Sequence, residues 1–361
     1  MTAGSQVAFA CLLVSFVFVG VGRAEAVDYP VSPRLGFYGS PKGLWDKGLS
    51  MSEMGANLVV VPAASVTPEM AERCHAEGAQ VFADFAIFAG AEVAEKHPEL
   101  WPIGADGKRL RKQEWYLGLC PTYEWYRRER LTEIRNLLVN VPVDGIYLDF
   151  IRWPCHWEVS DPRLEQSCFC DNALSLFSRD TGISIYGLTT RQKAHYIRRH
   201  YPQAWAQWRA EDITSFVREA RNTVEKARPG TLLGVFTVPW KPEEYDNAIM
   251  NIIGQDFPAL ADHVDVFSPM VYHAMCNRDV TWVGEYSKWL AEATGKAVWP
   301  IVQVKDASRA VSAEEFAEVL HQALCPATRG VLVFTLDALL EQREKLEVAR
   351  QVFCTFKEGS Q

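Results

Sequence analysis

The sequence predicts an α/β fold, a (β/α)8 TIM barrel, and three observations carry that prediction. Short apolar runs alternate with longer amphipathic ones from residue 34 onward, the pattern of a parallel sheet wrapped by helices. The apolar runs come to about eight, the number of strands that closes such a barrel. Gly or Pro marks the joints, at Gly55, Gly78, Pro142, Gly230, Gly295 and Gly330.

The runs read as strands are Arg34–Gly39, Ala56–Ala63, Ala79–Phe88, Val143–Ile151, Leu232–Val238, Val264–Tyr272, Ala297–Val304 and Gly330–Leu336. Between them the 3.6-residue period predicts helices over Pro68–Glu77, Trp125–Leu138, Arg209–Lys226, Val283–Ala293 and Ala313–Leu324. Two connections exceed ordinary loop lengths. One runs from Ala89 to Cys120. The other, 153–201, is an insertion after the fourth strand, with a short helix expected around Ala173–Arg179. Both leave the carboxyl ends of strands, where barrel enzymes build specificity, and both are rich in aromatic residues.

Composition narrows the partners. A chain of 361 residues that is 48% hydrophobic and 23% charged can bury a large core. A formal charge of −8 argues against nucleic acid or an anionic membrane, which select for basic patches. Val7 to Val21 is nearly all apolar, and Ala24-Glu25-Ala26 follows as a small-residue cleavage site. Residues 1–26 thus read as a signal peptide and 27–361 as a single barrel domain, exported to the periplasm or beyond and free of membrane once cleaved. The oligomeric state is not legible. No Walker or dinucleotide glycine fingerprint, Gly-x-Ser-x-Gly elbow or His-Glu-x-x-His occurs, so no cofactor and no catalytic metal is expected.

The chemistry concentrates in the segment from Val143 to Trp153. Side chains alternate along a strand, so Ile146, Leu148 and Phe150 share one face and Gly145, Tyr147 and Asp149 the other. If the first set packs under helices, Asp149 stands inside the barrel at its carboxyl-terminal mouth. Burying a carboxylate is costly unless it is paired or functional. Asp149 is therefore either catalytic or one half of an ion pair with Arg152. Similar parity arguments place Tyr38, Asp84, Tyr272, Gln303, Lys305 and Asp337 around the same mouth, with Arg152, Trp153, Trp240 and His273 beside it. Carboxylates, amides, phenols and one lysine around an open mouth suit sugar hydroxyls.

The stretch Leu119-Cys120-Pro121-Thr122, the Arg-rich helix after it, and Asp144-Gly145-Ile146-Tyr147-Leu148-Asp149-Phe150-Ile151-Arg152-Trp153-Pro154 resemble the glycosyl-hydrolase-like family 10 group. Further matching stretches are Trp205-Ala206-Gln207-Trp208-Arg209, Val266 to Tyr272 and Gly330 to Phe334. The resemblance implies a TIM barrel acting on glycans and points to Asp149. Family 18 chitinases and the alpha-amylases fit less well. Tyr147 and Ile151 replace the middle Asp and the acid Glu of the former, and Tyr147 replaces the Arg of the latter.

Such enzymes usually work through two carboxyl groups, roughly 5 to 9.5 Å apart. Glu158, flanked by Trp157, is the first candidate for the partner of Asp149. Glu243 or Glu244, after the fifth strand, comes next, and Asp337 last. The expected activity is hydrolysis of O-glycosidic bonds in a poly- or oligosaccharide; the rival reading is a barrel that binds carbohydrate without cleaving it.

Cys120, Cys155, Cys168 and Cys170 form a second constellation. The Cys-Phe-Cys pair is similar to the zinc cluster of family 42 beta-galactosidases, although Asn172 and Ala173 supply no further thiol. One or two disulfides, with Cys155–Cys168 the first choice, a structural zinc on all four thiols, or free thiols are the three readings.

Overall fold

The computed structural model describes residues 33–306 and 309–358; the predicted signal peptide lies outside them. The barrel strands are β1 (Arg34–Tyr38), β2 (Leu58–Pro62), β3 (Gln80–Ala86), β4 (Gly145–Asp149), β5 (Leu232–Thr237), β6 (Val266–Pro269), β7 (Ala297–Val298), β8 (Ile301–Gln303) and β9 (Gly330–Phe334). All pairings are parallel, in the order β7-β6-β5-β4-β3-β2-β1-β9-β8. Each lies within one of the predicted apolar runs, because a strand buried on both faces carries almost nothing polar. The TIM-barrel expectation holds.

The seventh run is the exception: it forms two strands. Trp299 and Pro300 separate β7, which pairs with β6, from β8, which pairs with β9. Proline lacks the N–H that a continuous ladder needs. A parallel bridge from Met270, the residue after β6, to Ile301 of β8, with Val271 N donating to Ile301 O at 3.0 Å, closes the ring past the short β7.

Aromatic rings fill the barrel. Tyr147 stacks on Phe236 with centroids 4.5 Å apart, and Phe82 packs on both Tyr147 and Trp299. Two glycines make room. A Cβ on Gly145 would meet the Phe82 ring at 2.1 Å, and one on Gly234 would meet Tyr147 at 2.5 Å. The interior side of β4 thus carries Gly145, Tyr147 and Asp149, as the alternation predicts.

Both long connections have structure of their own. The one after β3 is braced by the bridges Ala89↔Gly118, Ile103↔Arg109 and Gln113↔Tyr116. The one after β4 contains the helices Asp171–Thr181 and Thr190–His200, the second of which the sequence reading missed. Phe169, Leu174, Phe177 and Ile197 of this insertion pack against Trp205 of the helix Pro202–Ala227 in a small core cluster. The bridge Gly104↔Ser167 and the bond from Phe169 N to Ile103 O tie the two insertions together. Among the described residues no helix is long and apolar enough to cross a membrane.

Candidate active site

β4 ends at Asp149, which opens onto a cleft of about 620 Å³ at the carboxyl end of the barrel. Tyr38, Asp84, Phe150 and the Arg130 and Glu133 side chains share its wall. The chain leaves β4 sharply. Phe150 takes a left-handed φ of 51°, and its N–H donates to Asp149 Oδ1 at 2.6 Å. For a bulky side chain that conformation costs on the order of 1–3 kcal/mol. The turn also moves Phe150 into the cleft wall, rather than under the helices where alternation placed it.

Asp84 is the second carboxyl of the cleft. It lies one strand away on β3, with Asp84 opposite Tyr147 and Ala86 opposite Asp149, so it stands deeper in the barrel. Only 6% of it is exposed. Tyr38 donates to its Oδ2 at 2.8 Å, while Oδ1 has no hydrogen-bond partner among the described residues. Burial, aided by the charge of Asp149, holds its carboxyl well above the ordinary range. Burial also raises Asp149, opposed by Arg152 and by the Phe150 N–H. A buried and a half-buried carboxyl in mutual electrostatic reach do not both ionise freely, and the deeper keeps its proton longer.

Glu158 feels the same field. Burial pushes its carboxyl up to about 7, with Arg152 opposing and the Asp149 charge adding to the rise. The neighbouring Trp157 is fully buried and stacks on Tyr272 at 6.0 Å. Burial, Glu158 and Asp149 together keep the Tyr272 phenol neutral. Arg152 lies beneath these groups, its Nη1 3.9 Å from Asp149 Oδ1 and its guanidinium 4.7 Å from the Phe150 ring centroid. Its side chain is almost wholly buried, so it sets the charge balance rather than touching a ligand from the surface.

Several sequence-predicted site residues stand elsewhere. Trp153 is 0% exposed; its Nε1 donates to Arg209 O at 2.9 Å and the Arg209 guanidinium covers its ring at 4.6 Å. The turn at Phe150 carries it into the core. Trp240 is buried against Tyr245. His273 is 0% exposed and its Nε2 pairs with Glu315 at 2.8 Å, because the position after Tyr272 faces the helix Ala313–Ala323. Gln303 is consumed by backbone, accepting from Met275 N and donating to Lys305 O. Lys305 itself is exposed. Asp337 is an exposed residue in the first turn of the helix Leu336–Leu340, since the strand ends at Phe334 and alternation stops there. Phe334, not the odd-numbered set, faces inward, against Tyr38 and Tyr272. Glu243 is exposed, and Glu244 pairs with Arg278.

Sequence reasoning missed Arg130 and Glu133, which pair with each other on the helix Glu124–Asn140. The signal was available: residues 130, 133 and 137 recur on one helical face, and all three line the cleft.

Three of the four cysteines converge. Ligand atoms of Cys120, Cys168 and Cys170 lie within 4.8 Å of one another, with Cys120 Sγ 3.7 Å from Cys170 Sγ. Hydrogen bonds from the Cys120 and Cys168 thiols hold the Cys170 thiol well below its ordinary range. Ile103 N donates to Cys168 and Ala173 N to Cys170. Cys155 is not among them; its N–H is bonded to Tyr116 Oη and its Sγ points to Arg163 O. All the cysteines among the described residues are free. No disulfide, the expected Cys155–Cys168 bridge included, is present among the described residues, and Cys155 stands apart from the group of three, its N–H bonded to Tyr116. Three convergent thiols still suit a soft ion, with the Tyr123 hydroxyl, 4.0 Å from Cys170 Sγ, beside them.

A closed parallel barrel with buried carboxyls at the carboxyl end of its strands defines a barrel of the glycosidase class. The family described as "putative glycosyl hydrolase domain" matches residues 52–289, well over half of the chain, and the chain belongs to it. None of the curated proteins matches in sequence. Solved structures share the fold. The PgaB (BpsB) glycoside hydrolase domain from Bordetella bronchiseptica aligns with a TM-score of 0.66 and 12% identity, covering 89% of this chain and 99% of that one. A catalytic mutant of Gan42B, a GH42 beta-galactosidase from G. stearothermophilus, gives 0.63 and 14%, covering 91% and 57%. The beta-galactosidase of Marinomonas ef1 gives 0.63 and 12%, covering 89% and 59%. The chain therefore spans less than two thirds of the galactosidases' length, and at these identities the likeness is one of fold.

Proposed function

We propose that the protein hydrolyses O-glycosidic bonds of a poly- or oligosaccharide with Asp149 and Glu158 as the working carboxyls. The observation that carries this reading is the separation of their environments. Asp149 has a guanidinium and a backbone N–H to favour its charged form. Glu158 is raised to about 7 and so holds a proton near neutrality. A glycosidic oxygen leaving the anomeric carbon takes that proton from Glu158. Asp149 assists at the carbon, and water supplies the hydroxyl for the new reducing end and the proton that restores Glu158. Asp84 acts as a positioning residue. Burial holds its carboxyl well above the ordinary range, while Arg152 and the Phe150 N–H oppose the rise at Asp149, which favours the charge there.

The test is release of reducing ends from a panel of polysaccharides by wild type and by Asp149→Asn. Turnover by wild type and none by the variant is the expected result. A wild type that binds glycan and cleaves none would favour the non-catalytic reading.

A further inference from the structure

Beside the cleft lies a second pocket, of about 260 Å³, between the two insertions. Tyr116 connects the two spaces: it lines this pocket, and its ring stacks at 5.8 Å on Phe150 of the cleft wall. Trp115 stands at the junction, 58% exposed, edge-on to Phe150 at 6.2 Å and to His156 at 6.4 Å. An open indole face next to a glycan cleft is a surface on which a pyranose ring packs.

The charge of the pocket runs against that of the chain. Lys108, Arg109, Arg111 and Arg163 line it, against Asp106 and Glu165, in a protein whose formal charge is −8. All four cations are exposed, and none is in an ion pair among the described residues. Burial keeps the His156 imidazole below its usual range, so it adds a neutral polar edge and no charge. Four cations against two carboxylates leave the pocket with an excess of positive charge, which an anion would offset. Guanidinium forks match the planar oxygens of a carboxylate or the oxygens of a sulfate ester.

We propose that this pocket is a subsite for an anionic sugar unit of the glycan cleaved at Asp149, with Trp115 supporting the ring that links it to the cleft. The proposal deepens the hydrolase reading and rests on it for the identity of the ligand as a glycan. Galacturonate and galactose 6-sulfate are the probes, with galactose as the neutral control, titrated into the full chain while tryptophan fluorescence and heat are followed. At least one of the two anionic sugars is expected to bind tenfold or more tighter than galactose, and salt should weaken it. The tighter of the two tells carboxylate from sulfate. In the Arg111→Ala/Arg163→Ala double variant the preference should vanish, with the melting temperature unchanged because both side chains are exposed. Equal affinity for galactose and both anionic sugars, or a double variant that keeps the preference, would overturn the proposal. Should the preference depend on these arginines while no polysaccharide is cleaved, the hydrolase reading fails and the subsite stands.

Discussion

The hydroxyl of Tyr38 on β1 donates to Oδ2 of Asp84 on β3 at 2.8 Å, and so pins the deeper of two carboxyls that share one electrostatic field. This contact orders the roles of the pair. Asp84→Asn imitates the protonated acid and is expected to keep turnover within about tenfold of wild type, whereas Asp149→Asn should lose roughly 10³-fold at an unchanged melting temperature. Steady-state kinetics of the two variants decide the matter; the reverse ranking would make Asp84 the catalytic group.

The second prediction follows from the Glu158 carboxyl, pushed up to about 7. A general acid works only while it holds its proton, so kcat/KM should fall as pH rises through about 7, and Glu158→Gln should remove that limb. Its Ala variant should harm the natural glycan far more than an activated aryl glycoside, whose leaving group needs little protonation. An alkaline limb that survives in Glu158→Gln assigns the proton to another group. Stability carries the same sign. Raised above its unfolded value, Glu158 contributes stability that is full at low pH and lost as pH passes through about 7, so Glu158→Gln should melt higher than wild type at pH 8.

Trp153 gives a prediction about stability alone. Fully buried between Arg209 and the core, its replacement by Ala should cost about 3–5 kcal/mol in denaturant unfolding. A near-normal unfolding midpoint coupled with lost glycan binding would return Trp153 to the ligand site.

The cysteines offer a mapping experiment. Mild oxidation of the folded protein should join Cys120 to Cys170, whose sulfurs lie 3.7 Å apart, and leave Cys155 free for alkylation after denaturation. Peptides linked through Cys155 and Cys168 would show that the insertion is arranged differently in solution.

Strands were legible because burial on both faces writes itself as unbroken apolar runs, and Asp149 was legible because two-residue alternation holds inside a strand. Where alternation ends, the reading failed. Asp337 lies past the last ladder bond, in a helix; Trp153 lies past a left-handed turn at Phe150; His273 lies beyond β6 and faces a helix. The weight of Asp84 was illegible for another reason. Its depth and its partner Tyr38 are long-range facts, 46 residues apart in sequence. Glu158 was singled out through a local neighbour, Trp157, although the rise in its carboxyl also depends on the charge of Asp149 on β4.

The insertion after β4 packs Phe169, Leu174, Phe177 and Ile197 against Trp205 of the helix Pro202–Ala227, and it is also stitched to the connection after β3. The molecule therefore separates two kinds of constraint. The strand that carries Asp149 is held in register by its neighbours in the sheet, where a shift of one residue would turn every side chain over. The wall beside the cleft is built from the two insertions, whose contacts lie outside that register. Under the hydrolase reading, a change in that wall need not move the carboxyl at the end of β4.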